Sequence, residues 1–165
     1  MAELTNLETK LGEVIGLAMA AQDATEKVSK LVEKEGSVEL EKKLKTMWKE
    51  AARAEKLASE LAGGFQGKKT AIMKEARTVK SKAADMMSTY LDRDADALDG
   101  FEFLTMAEAS EVGHWSVLRK MSKKAGHQGV RELAKSQVAI QKRHLRDVMD
   151  GSILLAGEED PNEPA

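Results

Sequence analysis

The 165-residue chain contains no cysteine, only two prolines and few aromatic residues. The absence of cysteine excludes disulfides, thiolate metal ligands and a cysteine nucleophile. Both prolines, Pro161 and Pro164, lie in the last five residues, so no proline interrupts a helix before them. Aromatic residues make up 4% of the chain, whereas alanine, lysine, glutamate and leucine are abundant, a composition typical of helical bundles.

Long apolar runs are also missing. The longest, at 14–21 and 153–156, are too short to span a bilayer, so we expect no membrane segment. The first residues, Met-Ala-Glu-Leu-Thr-Asn, lack the basic start and apolar run of a signal peptide. Charged residues make up 33% of the chain and the net charge is -2. These features predict a cytoplasmic protein with one domain.

Apolar residues recur every three or four positions in five stretches separated by glycines, which predicts five helices. Gly36, the segment 63–67, Gly100, the turn 126–129 and Gly151 are the predicted breaks. The predicted helices cover about 4–34, 38–62, 68–92, 95–125 and 129–150. Helices one and two should form a hairpin, as should four and five, with helix three as the crossover between them. This predicts an all-α four-helix bundle with an additional fifth helix over 1–156, followed by an acidic flexible tail, 157–165.

Two glutamates interrupt the apolar face of the fourth predicted helix. Phe101, Leu104, Trp115 and Leu118 share that face with Glu108 and Glu111. A buried carboxylate without a partner is strongly disfavoured, so each should be protonated, hydrogen-bonded or bound to a cation. Glu111 and His114 also have the i, i+3 spacing found in metal sites of bundles.

The fifth helix supplies polar partners for these glutamates. In this hairpin, residues whose numbers add up to about 255 are expected at the same level, which places His144 opposite Glu111 and Gln141 opposite His114. The first hairpin contributes less. Glu26 lies at the border of its apolar face and Glu50 lies beside one, so both are candidates for either the core or the solvent.

The residues carry a resemblance to the ferritin-like superfamily, and most closely to a branch of small bacterial ferritin-like proteins associated with stress responses. Three segments carry it: Gly67 to Met73, Ala107 to Glu111, and Leu118 to Gly126. Together with the helix order, the resemblance covers about residues 20–150. It implies a ferritin-like bundle with a carboxylate and histidine metal site, and bundles of this type commonly dimerise.

Glu108 and Glu111 match the Glu-x-x-Glu of that branch, whereas other positions depart from its pattern. Gln141 replaces a glutamate three residues before His144, and of the helix-two positions only Glu50 can serve as a ligand. The predicted metal ligands are Glu108, Glu111, His144, Glu50, Glu26 and His114. Oxygen and imidazole donors suit iron, manganese or zinc, but two irons require four or more carboxylates.

Three functions compete at this point. The first is a metal-binding bundle, with iron or manganese and with or without oxidase activity. The second is a ferritin-like fold whose metal site has decayed, so that it binds no metal and has a structural or interaction role. The third is nucleic-acid binding, because 115–146 contains nine basic residues and one acid, Glu132. The absence of interleaved aromatics beyond Trp115 disfavours this third function.

Overall fold

Five α-helices account for almost the whole of the computed structural model, which describes residues 2–163. They are α1 (Asn6–Glu35), α2 (Val38–Ala62), α3 (Lys69–Tyr90), α4 (Ala97–Lys124) and α5 (Gln128–Ala156). No strand occurs within 2–163, as predicted. None of the helices in this range combines the length and apolar character needed to cross a bilayer.

Local sequence explains where the helices begin and end. Thr5 and Asp96 are the N-caps of α1 and α4, and each forms a capping box. The cap side chain accepts from the backbone N–H of Glu8 or Asp99, whose own side chain accepts from the backbone N–H of the cap. Gly36 ends α1 in the left-handed region, with a φ of 74°, where a side chain would be strained. The short turn that follows makes α2 antiparallel to α1.

Four of the helices surround a common core. The helix α1 packs against α2 and α4, and α5 packs against the same two helices from the opposite side. Gly100, near the start of α4, lies against Val28 and Leu31, near the end of α1, so α4 is antiparallel to α1. The crossover helix α3 lies outside this group and packs mainly on α1.

Two predicted breaks were wrong. Gly100 lies inside α4 and Gly151 lies inside α5, which continues to Ala156 rather than ending near 150. Both glycines are there because of close packing: a Cβ on Gly151 would collide with the Phe101 ring, and one on Gly100 would lie 2.9 Å from Val28 Cγ1. A glycine in a buried helix therefore marks a close approach here and does not end the helix.

The chain after α5 is exposed and contains neither helix nor strand from Gly157 to Glu163. This segment belongs to the predicted tail, of which residues 164 and 165 lie outside the described residues, as does residue 1 of the predicted domain. The core that remains is built by the helices alone.

Candidate functional site

The facing sides of α4 and α5 carry polar residues in the centre of the bundle. Glu108 and His144 are each 2% exposed and Glu111 is 3% exposed. Apolar residues adjoin them along each helix, with Leu104 and Trp115 on α4 and Val148 on α5. The prediction that the two glutamates face the interior is therefore confirmed.

His144 lies between two carboxylates from different helices. Its Nε2 is 2.5 Å from Glu50 Oε2 on α2, and its Nδ1 is 3.5 Å from Glu108 Oε2 on α4. Burial lowers the pKa of His144, but the attraction of Glu108 and then of Glu50 outweighs it, so the pKa is raised. A protonated imidazole can donate from both nitrogens, which suits a position between two carboxylates.

The predicted pairing of His144 with Glu111 was wrong. The closer α4 carboxylate is Glu108, one turn earlier in the helix. The turn between α4 and α5 covers 125–127 and is centred on Gly126, so residues at the same level add up to about 252, as Glu108 and His144 do, and not to 255. A shift of this size along the helix places Glu108 opposite His144 in place of Glu111, which lies one turn away on the same helix face.

Glu111 has a different partner, on its own helix. The Trp115 indole Nε1 donates to Glu111 Oε2 over 3.3 Å. Burial and the nearby charge of Glu108 raise the pKa of Glu111 well above its usual value, and the Trp115 hydrogen bond offsets only part of this. Glu111 therefore retains its proton over a wider pH range than an ordinary glutamate.

Glu50 connects this buried group to the surface. Arg143 Nη2 donates to both Glu50 carboxylate oxygens at 2.7 Å, and His144 contacts the same carboxylate. Burial raises the pKa of Glu50, but the hydrogen bonds from His144 and Arg143 outweigh it and lower the pKa. The arrangement runs from Arg143 at the surface through Glu50 and His144 to Glu108.

Two predicted site residues lie elsewhere. Glu26 is exposed and forms an ion pair with Lys30 at 3.6 Å on the same helix. The Nδ1 of His114 is 3.1 Å from Glu13 Oε2 and 3.4 Å from Lys10 Nζ, in a half-buried contact between α4 and α1. Of the six predicted residues, the structure therefore joins Glu50, His144 and Glu108 by contacts, with Glu111 buried beside Glu108.

Three buried oxygens in this region lack a hydrogen-bond partner within residues 2–163: Glu108 Oε2, Gln137 Oε1 and Gln141 Oε1. Glu108 Oε2 is close enough to His144 for an ion pair but too distant for a well-formed hydrogen bond. Buried polar atoms are usually satisfied, so these three are exceptions that call for an unseen donor or cation. As placed, no three His, Asp or Glu side chains of the described chain are grouped to hold a metal ion.

Sequence reasoning missed three participants. Arg143 donates to Glu50, Glu13 contacts His114, and the Trp115 indole donates to Glu111. Each is a contact between specific side-chain atoms. Only the i, i+4 spacing of Glu111 and Trp115 was a local signal for one of them.

No family model, no curated protein and no solved structure matches the chain. The function is therefore inferred from the residues and their geometry.

Proposed function

We propose that this protein is a ferritin-like helical bundle that binds one divalent metal ion, iron or manganese, in its core. The observation that carries the proposal is the burial of Glu108, Glu111 and His144 together, with one Glu108 oxygen that lacks a hydrogen-bond partner among residues 2–163. Burying this many ionisable groups is costly unless they bind protons, one another or a cation.

The donor set fits one ion better than two. Carboxylate and imidazole ligands suit iron and manganese. With Glu26 at the surface, three of the predicted carboxylates remain in or beside the core, Glu50, Glu108 and Glu111, fewer than a two-iron site requires. Glu108, Glu111 and His144 would hold the ion, and Glu50, already fixed by Arg143, would complete or orient the site. Such an ion would supply one-electron redox chemistry.

The protein residues would control the charge at the site. Metal binding requires a neutral His144 and an ionised Glu111, so both must release the protons that their environments favour. Binding should therefore strengthen as the pH rises through neutrality. Arg143 balances the charge of Glu50 throughout, because guanidinium does not deprotonate in proteins.

The test is metal analysis of protein purified without chelator, combined with thermal unfolding in added Fe²⁺ or Mn²⁺. We expect bound metal, a higher Tm with added ion, and loss of both in Glu111→Ala and Glu108→Ala. Glu102→Ala, an exposed position on the same helix, is the matched control and should retain both. No bound metal, no Tm increase and no iron-dependent oxygen consumption would together contradict the proposal.

One observation favours a second function, in which the polar core specifies packing and binds no metal. His144 faces a carboxylate at each ring nitrogen, and Glu111 is hydrogen-bonded by Trp115, so protons alone can balance most of the network. Under this alternative the fold has a structural or interaction role, and Glu111→Ala changes stability without any metal effect. A stress-associated role, a homodimer, a cytoplasmic location and the absence of nucleic-acid binding stay predictions.

A further inference from the structure

One stretch of α4 exposes no charged side chain, although charged residues make up 33% of the chain. Of Asp, Glu, Lys and Arg, residues 103–118 contain only Glu108 and Glu111, and both are buried. A helix in contact with water normally carries charged residues on its exposed side. The helix α2 does so at nearly every turn, with exposed Lys42, Lys45, Lys49, Arg53 and Lys56. The exposed residues of the uncharged stretch form the outer face of α4: Met106, Ala109, Ser110, Gly113, Ser116 and Val117.

Apolar side chains extend this face onto α3. Met106 and Val117 are exposed on α4 itself. Exposed Met86 on α3 lines the same cavity of about 110 Å³ as Met106. The ring of Tyr90, also exposed, lies 6.1 Å from the ring of Phe103, measured between centroids. Contiguous exposed apolar surface of this kind marks an interaction site.

Charges of opposite sign lie at the two ends of the outer face. Glu102 precedes it and Lys120 follows it, and both are exposed. They are about five turns apart, so their side chains project from the same side of the helix. A second α4 that runs in the opposite direction would bring its Lys120 to Glu102 and its Glu102 to Lys120. A parallel copy would bring like charges together, so the face is complementary to itself only in the antiparallel orientation.

We propose that the outer face of α4 binds the same face of a second copy of this chain, antiparallel, in a two-fold symmetric dimer. At its centre Ala109 faces the partner's Gly113, so no large side chain separates the two helices. Glu102 pairs with the partner's Lys120, and the symmetry repeats this ion pair at the other end. The inference goes beyond the proposed metal site, because Glu108 and Glu111 point into the core from the opposite side of α4.

The test is sedimentation equilibrium of the full chain at low salt, for which we expect a dimer with a Kd of micromolar order. Glu102→Lys and Lys120→Glu each replace both ion pairs by like charges, so each should raise the Kd at least about tenfold. The double variant exchanges the two charges and should restore the Kd to within about threefold of the parent. Lys56→Glu, exposed on α2, is the control and should leave the Kd unchanged. A parent that stays monomeric at millimolar concentration, or a double variant without recovery, would overturn the proposal.

A charge at the centre of the face tests its location independently. Ala109→Glu buries a carboxylate against the partner's Gly113 and should raise the Kd at least about tenfold. Ala139→Glu is the same substitution at an exposed position of α5 and should leave the dimer intact. Far-ultraviolet circular dichroism shows whether Ala109→Glu is folded, and if it is not, the charge exchange between Glu102 and Lys120 decides. An unchanged Kd in folded Ala109→Glu would refute this location.

The metal and dimer proposals fail separately in this design, because none of these variants removes a proposed metal ligand. Monomeric Ala109→Glu that retains the metal content of the parent supports both proposals. Metal binding by a parent that stays monomeric removes the dimer alone, and a metal-free dimer removes the metal site alone.

Discussion

Two features of its surroundings oppose the ionisation of Glu111. Its side chain is withdrawn from water, and the carboxylate of Glu108 lies one turn away on the same helix. The indole of Trp115 supplies one donor in compensation. A carboxyl with a raised pKa adds stability that is fully present below its ordinary pKa of 4.5 and is lost as the pH rises through the folded-state value.

The substitution Glu111→Gln should therefore stabilise the metal-free protein at neutral and alkaline pH. The amide keeps the shape and still accepts from Trp115, but it carries no charge to bury. We expect a gain of about 1–3 kcal/mol in the free energy of unfolding once the parent glutamate ionises, and little difference below its ordinary pKa. Urea unfolding across the pH range, with chelator present, measures this.

Glu102→Gln is the control for this prediction, because Glu102 is exposed on the same helix and should show no comparable pH-dependent gain. The pKa values of Glu111 and His144 are raised and that of Glu50 is lowered. These groups therefore change the free energy of unfolding over different parts of the pH range. The Glu50 contribution is lost as the pH falls through its folded-state pKa, whereas those of Glu111 and His144 are lost as the pH rises. If the parent protein is more stable than Glu111→Gln at neutral pH, the folded protein favours the charged form of Glu111 and the prediction is wrong.

At the scale of helices, α3 depends on two glycines of α1. A Cβ on Gly12 would lie 2.8 Å from the Ile72 carbonyl oxygen, and one on Gly16 would lie 2.8 Å from Val79 Cβ and closer still to the Ala76 carbonyl. The two positions are one turn apart and face positions one turn apart on α3, so the helices run in the same direction. Backbone that approaches this closely leaves no room for even a methyl group.

Gly16→Ala should consequently displace α3 and destabilise the protein by about 1–3 kcal/mol, although alanine favours helix more than glycine does. Gly113→Ala is the matched substitution on α4, where within residues 2–163 the added Cβ would have no neighbour within 4 Å apart from the adjacent residues and the backbone of its own helix. That variant should be neutral or stabilised by up to about 1 kcal/mol. Thermal unfolding of the two proteins gives the comparison, and equal effects would contradict a close approach at Gly16.

These glycines also show what the sequence could and could not predict. The limits of α2 were predicted correctly at 38–62, because apolar periodicity and flanking glycines are local signals. The breaks predicted at Gly100 and Gly151 are wrong, because a glycine at a turn and a glycine packed closely against Val28 or Phe101 look alike in sequence. Burial of Glu108 and Glu111 was predictable from their helix face. Which of the two contacts His144 was not, because register between helices depends on turn geometry that periodicity does not encode.

In the whole molecule, the crossover helix α3 determines at which end of the bundle α4 begins. The 22 residues of α3 run the length of the bundle, so α4 begins beside the end of α1. Lys27 Nζ donates to the Leu91 carbonyl oxygen at 2.6 Å, which joins the end of the crossover to α1. The alternative is a connection that turns back, so that α4 begins beside the start of α1, and it would invert α4 and α5.

Distances between spin labels distinguish these two topologies, and the absence of native cysteine makes the labelling specific. Cysteines introduced at the exposed positions Lys34 and Asp92 should lie close together, because both are at the end of the bundle where α1 finishes. Cysteines at Lys34 and Lys124 should lie about 40 Å apart, the length of a helix of 28 residues such as α4. The inverted topology would exchange the two results, with the long distance for Lys34 and Asp92.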